Sequence, residues 1–240
     1  MLTKRFDFVL LDFDGTIAHT DPLIEKTFVG ICQDLGLKAP SHKTMSKFLG
    51  NDPTNFLPAT VRKTVGLEYL SNKFWEKYFN NILKHSDSIT FIPGVLDLVE
   101  HIHSEGIPMG IVTNKRGYIA RKELDILVGK CEKKLHVEFC IGAGEGWKHK
   151  PEPDLLVEGR RRLAPGSSKG LIIGDSGADV GAAIASGLKS CLYIPPVKNE
   201  TFPDKIRSQA TYVVNNMLDA IEFVKGSGRE IHRRVEEICR

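Results

Sequence analysis

The sequence predicts an α/β protein, a doubly wound parallel sheet that carries an inserted α-helical segment. Three observations lead there. Runs at residues 6–11, 107–112 and 169–174 are apolar nearly throughout, as strands covered on both faces are. Helical periods alternate with strands from residue 91 onward, and that alternation calls for parallel strands with helices on both sides. Between residues 17 and 88 only helical patterns are read, so this stretch forms a separate insertion after the first strand.

Taken in order, the first strand is interrupted only by Asp7 and runs into Asp12-Phe13-Asp14-Gly15-Thr16. Side chains alternate along an extended strand, which points Asp12 and Asp14 to one side at its carboxyl end, and Gly15 lets the chain turn. Asp21-Pro22 then sets a capping residue before a proline at the first helical position. Leu23, Thr27, Phe28, Ile31 and Leu35 recur at helical spacing until Gly36. Further helices are read at residues 43–49, 55–65 and 69–83. The stripe Leu70, Phe74, Trp75, Tyr78, Phe79 and Ile82 in the last is read as core packing.

Pro93 opens a helix whose apolar side is Val95, Leu96, Leu98, Val99 and Ile102, and Gly106 ends it. The strand at 107–112 follows and leads into Thr113-Asn114. Residues 118–128 read as helix, 137–141 as a short strand and 154–163 as helix. The strand at 169–174 ends in Asp175, followed by a helix at 178–186 and a strand at 191–194. A last strand at 212–214 and helix at 217–224 finish the fold. Domain bounds follow: a core of residues 1–17 and 89–228, a helical cap of 18–88 and a charged tail of 229–240. The tail reads as a solvated terminal helix or a fraying end, with an interaction arm as the alternative.

Composition narrows the class. Of 240 residues, 41% are hydrophobic and 26% charged, which suits a soluble globular chain and excludes a disordered or fibrous one. A net charge of +3, with basic residues spread along the chain except near the C-terminus, calls for neither nucleic acid nor membrane as partner. The five cysteines, Cys32, Cys131, Cys140, Cys191 and Cys239, lack Cys-x-x-Cys or zinc-ligand spacing and read as reduced thiols. The sequence enters its first strand directly, and no apolar run reaches membrane-spanning length, so the cytoplasm is the expected location. No pattern marks an oligomer interface.

The chemistry gathers at strand ends, where ligands bind in parallel sheets. Asp12 and Asp14 repel one another unless one is protonated or a cation sits between them, and hard carboxylate oxygens favour magnesium. An acidic turn is the plain alternative. Thr113 and Asn114 can bond phosphate oxygens, or make a polar turn. Lys150, stiffened by Pro151 and Pro153, can neutralise a transferring phosphoryl group, or be an ordinary surface lysine beside its alternative Lys148. Asp175 completes a magnesium site with the first pair. Asp179 either supports it or is an ordinary early-helix acid facing the helix dipole.

With these four groups on one edge of one sheet, the chain resembles the haloacid dehalogenase superfamily of phosphohydrolases. The resemblance runs through Asp12-Phe13-Asp14-Gly15-Thr16, Thr113-Asn114, Lys150-Pro151 and Gly174-Asp175-Ser176-Gly177-Ala178-Asp179 and covers residues 6 to about 225. The insertion after the first motif is similar to the small cap of the phosphoglycolate phosphatase-like branch. The resemblance implies a magnesium-dependent phosphomonoesterase for a small phosphorylated metabolite. Asp12 would be the nucleophile that carries an aspartyl phosphate, and Asp14 the acid and then the base. Asp12, Asp14 through its main-chain carbonyl, and Asp175 would hold magnesium, with Asp179 in support. Thr113, Asn114, Lys150, Gly15 and Thr16 would form the phosphate site. Asp14 argues against a dehalogenase, and Ile24, where a phosphoglucomutase-like relative carries histidine, disfavours a mutase. A regulatory member with weak turnover is the remaining alternative. Ile17-Ala18-His19-Thr20 departs from the branch's usual acidic-serine pair, which leaves the substrate open.

Overall fold

The structure, a computed structural model, describes residues 4–34, 36, 38–39, 41, 67–85, 88–132 and 135–225, without the side chains of 67–71, 74 and 83. Six parallel strands form one sheet: β1 (Phe8–Leu11), β4 (Met109–Arg116), β5 (Cys140–Ala143), β6 (Gly170–Gly174), β7 (Lys189–Tyr193) and β8 (Tyr212–Val214). Their order is β5-β4-β1-β6-β7-β8, so the chain leaves the central β1 on one side and returns to add strands on the other. Such a reversal opens a crevice at the carboxyl ends of the strands.

Period-two alternation sorts the strand residues between two layers. Val9, Leu11, Ile111, Leu171 and Ile173 face one side, where α3 (Val95–Ser104), α4 (Gly117–Gly129) and α8 (Met217–Val224) pack. Phe8, Leu10, Val112 and Ile172 face the other, where Leu155 and Leu156 of α5 (Asp154–Leu163) and Ala182 and Ala183 of α6 (Gly177–Ser186) cover them. Each large side chain buried this way contributes about 1.5–3 kcal/mol. The strands are therefore rigid footings for whatever stands at their ends.

The insertion leaves and re-enters the core through two short strands, β2 (Ala18–His19) and β3 (Thr90–Phe91). They pair antiparallel, Ala18 with Phe91 and His19 with Thr90, so the two chain crossings are tied to each other. The sequence reading expected no strand between residues 17 and 88, and β2 corrects it. Two residues are too few to show a period, and pairing across more than seventy residues of sequence makes them a strand. Within the insertion, α1 (Asp21–Asp34) and α2 (Leu67–Lys84) pack together. Asn81 Nδ2 donates to Thr27 Oγ1 at 2.9 Å, and Lys77 pairs with Asp34 at 2.7 Å.

The predicted helices at 43–49 and 55–65 and the tail at 229–240 lie outside the described residues. After β7 the chain adds a 3-10 turn at Pro196–Lys198 and α7 (Asp204–Gln209), neither of which was read from the sequence. Strand β1 starts at Phe8 rather than residue 6, although Asp7 N still donates to Lys169 O at 2.8 Å.

Candidate active site

Asp12 stands one residue beyond β1, and its N–H continues the ladder by donating to Ile173 O at 2.9 Å. That bond ties its main chain to β6. Asp12 is 6% exposed, and its Oδ1 lies 2.7 Å from Lys150 Nζ. The same ammonium lies 2.6 Å from Asp179 Oδ1 and donates to Val112 O at 3.0 Å. Lys150 thus donates to Val112 O and Asp179 and forms an ion pair with Asp12 Oδ1, which accepts no aligned hydrogen bond; its pKa is raised by Asp12 and Asp179 against the opposing effect of burial. Lys148, the alternative, is exposed, and only its main chain is engaged, donating to Asp154 at 3.5 Å.

Asn114 turns out to position Lys150. Its Nδ2 donates to Lys150 O at 2.8 Å and its Oδ1 accepts from Lys150 N at 2.7 Å. The sequence reading set Asn114 on the phosphate edge, whereas the structure gives it a two-point clamp on the lysine's main chain. Thr113, 1% exposed, accepts from Lys115 N at 3.1 Å, so its hydroxyl keeps a proton to donate. Thr16 is fully buried, and its hydroxyl has no hydrogen-bond partner among the described residues.

Asp12, Asp175 and Asp179 each bring a carboxylate oxygen within 4.8 Å of the others. The three differ in what they have left to offer. Asp179 is committed, with Oδ1 on Lys150 and Oδ2 accepting from Ser176 N at 3.1 Å and Ser176 Oγ at 2.6 Å in a capping box that starts α6. Asp175 packs against Gly15: a Cβ there would fall 2.2 Å from Asp175 Oδ2, at a φ of +74°. Only glycine fits that turn. Burial, then Asp12 and Asp179, push the Asp175 carboxyl well above its usual range. Burial first, then Asp179, raises Asp12 to about 7, with Lys150 pulling the other way.

Ionised together, three carboxylates would outweigh the one ammonium, and burial with that surplus is what raises Asp12 and Asp175. Hard oxygen donors of this kind, two of them uncommitted beyond Lys150, fit a divalent cation of the magnesium or calcium type. The side chain of Asp14 is not part of this cluster.

Asp14 faces a different set of partners. Its Oδ1 accepts from Lys115 Nζ at 2.6 Å and from Thr20 Oγ1. Lys115 is 3% exposed and lies 2.5 Å from Glu123 Oε2 on α4 and 3.1 Å from the Tyr78 hydroxyl on α2. Tyr78 donates in turn to Glu123 Oε1 at 2.7 Å. Glu123 is fully buried, and its carboxyl is raised by burial, with Lys115 opposing. Burial first, then Glu123 and Asp14, hold the Tyr78 hydroxyl well above its usual range.

A family model for haloacid dehalogenase-like hydrolases matches residues 9–193, a span that holds every one of these groups. The chain belongs to that family. A protein of Caldanaerobacter subterraneus subsp. tengcongensis, provisionally named pyrophosphatase PpaX, is 28% identical over 94% of this chain and 98% of its own. A phosphoglycolate phosphatase of Aquifex aeolicus is 26% identical over 87% of this chain and 95% of its own. In fold, the β-phosphoglucomutase of Clostridium difficile is similar at a TM-score of 0.73 and 16% identity, covering 98% of this chain and 100% of that one.

Within this haloacid dehalogenase-like hydrolase, the sequence reading missed Lys115, Glu123, Tyr78 and Thr20 as members of the polar network. One signal was available. Glu123 sits among Ile119, Ala120 and Leu127 on the buried face of α4, a carboxylate at an apolar position that calls for a partner. Lys115 carried no such signal, because β4 shifts register between Thr113 and Arg116 on its way past β5. Gly142 accommodates that irregularity, since a Cβ there would lie 2.3 Å from Lys115 O.

Proposed function

We propose that the chain is a magnesium-dependent phosphatase that hydrolyses a small phosphate monoester through a phosphoryl group carried on Asp12. The observation that carries the reading is the separate placement of two aspartates two residues apart. Asp12 meets Lys150, Asp175 and Asp179, while Asp14 meets Lys115 and Thr20. One carboxylate stands where an anion and a cation can be bound together. The other is held apart, half-buried, where it can pass a proton.

In the first step an Asp12 oxygen bonds to phosphorus, the bond to the ester oxygen breaks, and Asp14 gives that oxygen its proton. In the second, water loses a proton to Asp14 and bonds to phosphorus, which releases phosphate and restores the Asp12 carboxylate. Lys150 and the Thr113 hydroxyl hold the phosphoryl oxygens, with Gly15 and Thr16 at the turn beside them and Asn114 holding Lys150 in register. Magnesium, held by Asp12, Asp175 and the main-chain carbonyl of Asp14 with Asp179 behind them, would supply positive charge against the repulsion between phosphate and carboxylates.

Residues 18–88 act as a cap over the core of 1–17 and 89–228, moving about the paired crossings β2 and β3 and excluding water when seated. The relatives named pyrophosphatase and phosphoglycolate phosphatase support a small anionic substrate. Cys32, Cys131, Cys140 and Cys191 are all free thiols, which supports the cytoplasm as the setting. No helix among the described residues is long and apolar enough to cross a membrane.

Phosphate release from a panel of phosphorylated metabolites and an aryl phosphate, with magnesium and with chelator, tests the reading. Release that requires magnesium and is abolished in Asp12→Asn is expected. Release unaffected by that substitution would overturn the assignment of Asp12.

A further inference from the structure

Lys115 is placed to bind neither solvent nor phosphate. A lysine ammonium has three protons. Those of Lys115 are directed at Asp14 Oδ1 at 2.6 Å, Glu123 Oε2 at 2.5 Å and the Tyr78 hydroxyl at 3.1 Å. The Tyr78 ring lies 4.9 Å from Nζ and the Phe13 ring 5.3 Å from it, which closes the remaining approaches with aromatic faces. Tyr78 uses its hydroxyl both ways, donating to Glu123 Oε1 and accepting from Lys115.

The consequence for Asp14 is orientation. Lys115 and Thr20 both donate to Oδ1, and no described residue donates to Oδ2. A carboxylate gripped by two donors at one oxygen presents the other in a fixed direction. The donors come from two parts of the chain: Lys115 and Glu123 from β4 and α4 of the core, Thr20 and Tyr78 from the insertion. If α2 moved off the core, Glu123 would lose the tyrosine hydroxyl and the ion pair would be opened to water. A hydrated pair holds its partners far less firmly than a dry one. A second contact between the same elements, Arg116 Nη2 donating to Asn72 Oδ1 at 2.6 Å, helps seat α2 on the end of β4.

We propose that Lys115 is a positioning residue that fixes Asp14 through Oδ1, and that Tyr78 completes the Lys115–Glu123 pair, so that the proton-transferring oxygen is aimed only when α2 is seated on the core. The proposal rests on the phosphatase reading for what Asp14 does with that oxygen. It rests on geometry alone for how Asp14 is held.

Two measurements on the full chain decide it. The first compares kcat/KM for a series of phosphate monoesters, from nitrophenyl phosphate to alkyl phosphates, in wild type and in the double variant Lys115→Met with Glu123→Gln. Replacing both keeps the fully buried Glu123 from being left as an unpaired charge, while the half-buried Asp14 keeps its bond from Thr20. A nitrophenolate leaves with little help, whereas an alkoxide needs its proton. The variant is expected to lose about a hundredfold or more with alkyl esters and about tenfold or less with the nitrophenyl ester. Tyr78→Phe is expected to change the same ratio in the same direction by a smaller factor. An equal loss across the series, as a merely structural defect would give, overturns the proposal.

The second measurement needs no turnover. The carboxyl carbon-13 resonance of Asp14, assigned by its absence in Asp14→Asn, is expected to move in Tyr78→Phe. A resonance that stays in place in Tyr78→Phe overturns the link from α2 to Asp14. A wild type without magnesium-dependent turnover refutes the phosphatase reading, and the resonance then decides the positioning proposal on its own.

Discussion

Replacing Asp12 by asparagine is expected to stabilise the metal-free fold while abolishing turnover. Asp12 is pushed up to about 7 from 3.8 because burial opposes its ionisation and Asp179 adds like charge, with the Lys150 ammonium offsetting only part. Between those two values the folded chain holds a proton that the unfolded chain has released. Stability therefore falls as pH rises through that window, in the direction opposite to a carboxylate stabilised by an ion pair. From about pH 5 to about pH 8 this single group accounts for a loss of about 3 kcal/mol.

Asparagine keeps the shape of the side chain and removes the charge. In chelator, urea unfolding of Asp12→Asn is expected to show a shallower decline from acid to alkaline pH and a higher stability than wild type at the alkaline end. Saturating magnesium should reverse the order, because wild type gains about 2.7 kcal/mol at a hundredfold excess over its Kd and the variant, lacking a ligand, gains less. A variant less stable than wild type at alkaline pH in chelator, or one with an unchanged pH dependence, would refute the reasoning.

Other substitutions test the parts around Asp12. Gly15→Ala places a Cβ 2.2 Å from Asp175 Oδ2 at a positive φ. It is expected to cost about 1–2 kcal/mol in chemical unfolding and to weaken magnesium binding by about tenfold or more in calorimetric titration. Asn114→Ala removes both bonds to the Lys150 main chain and should lower stability by about 2 kcal/mol, with a fall in kcat larger than any rise in KM. Lys150→Met leaves Asp12 and Asp179 without their shared cation and should cost about 3–5 kcal/mol. Asp12 can take up a proton at acid pH, so that cost should be smallest there, as unfolding across pH would show.

Much of the fold was legible because apolar runs and glycine or proline punctuation are local signals. The helices at 154–163 and 217–224 and the strand at 212–214 have the bounds read from the sequence. The crevice was legible for a related reason: Asp12, Thr113 and Asp175 are each the first polar groups after a buried strand or at its last turns, and parallel strands bring such ends to one edge. What stayed hidden depends on distant pairings. Asn114 meets Lys150 across 36 residues, and its amide looks the same in sequence whether it binds phosphate or main chain. Tyr78 stood in an apolar stripe and was read as core, which describes its buried ring but not the hydroxyl that reaches Glu123. Strand β2 exists only through its pairing with Thr90–Phe91.

The covalent step can be tested directly. The enzyme is mixed with a good substrate and magnesium, quenched in acid during turnover, reduced with borohydride and digested, and the peptide that contains Asp12 is sequenced by mass spectrometry. Borohydride converts an acyl phosphate to the alcohol, so a phosphorylated aspartate reads out as homoserine. Homoserine at position 12, dependent on substrate and magnesium, is the expected result. Its absence from position 12 during measured turnover, or its presence at Asp14, Asp175 or Asp179 instead, would contradict the assignment of Asp12 as the phosphoryl carrier.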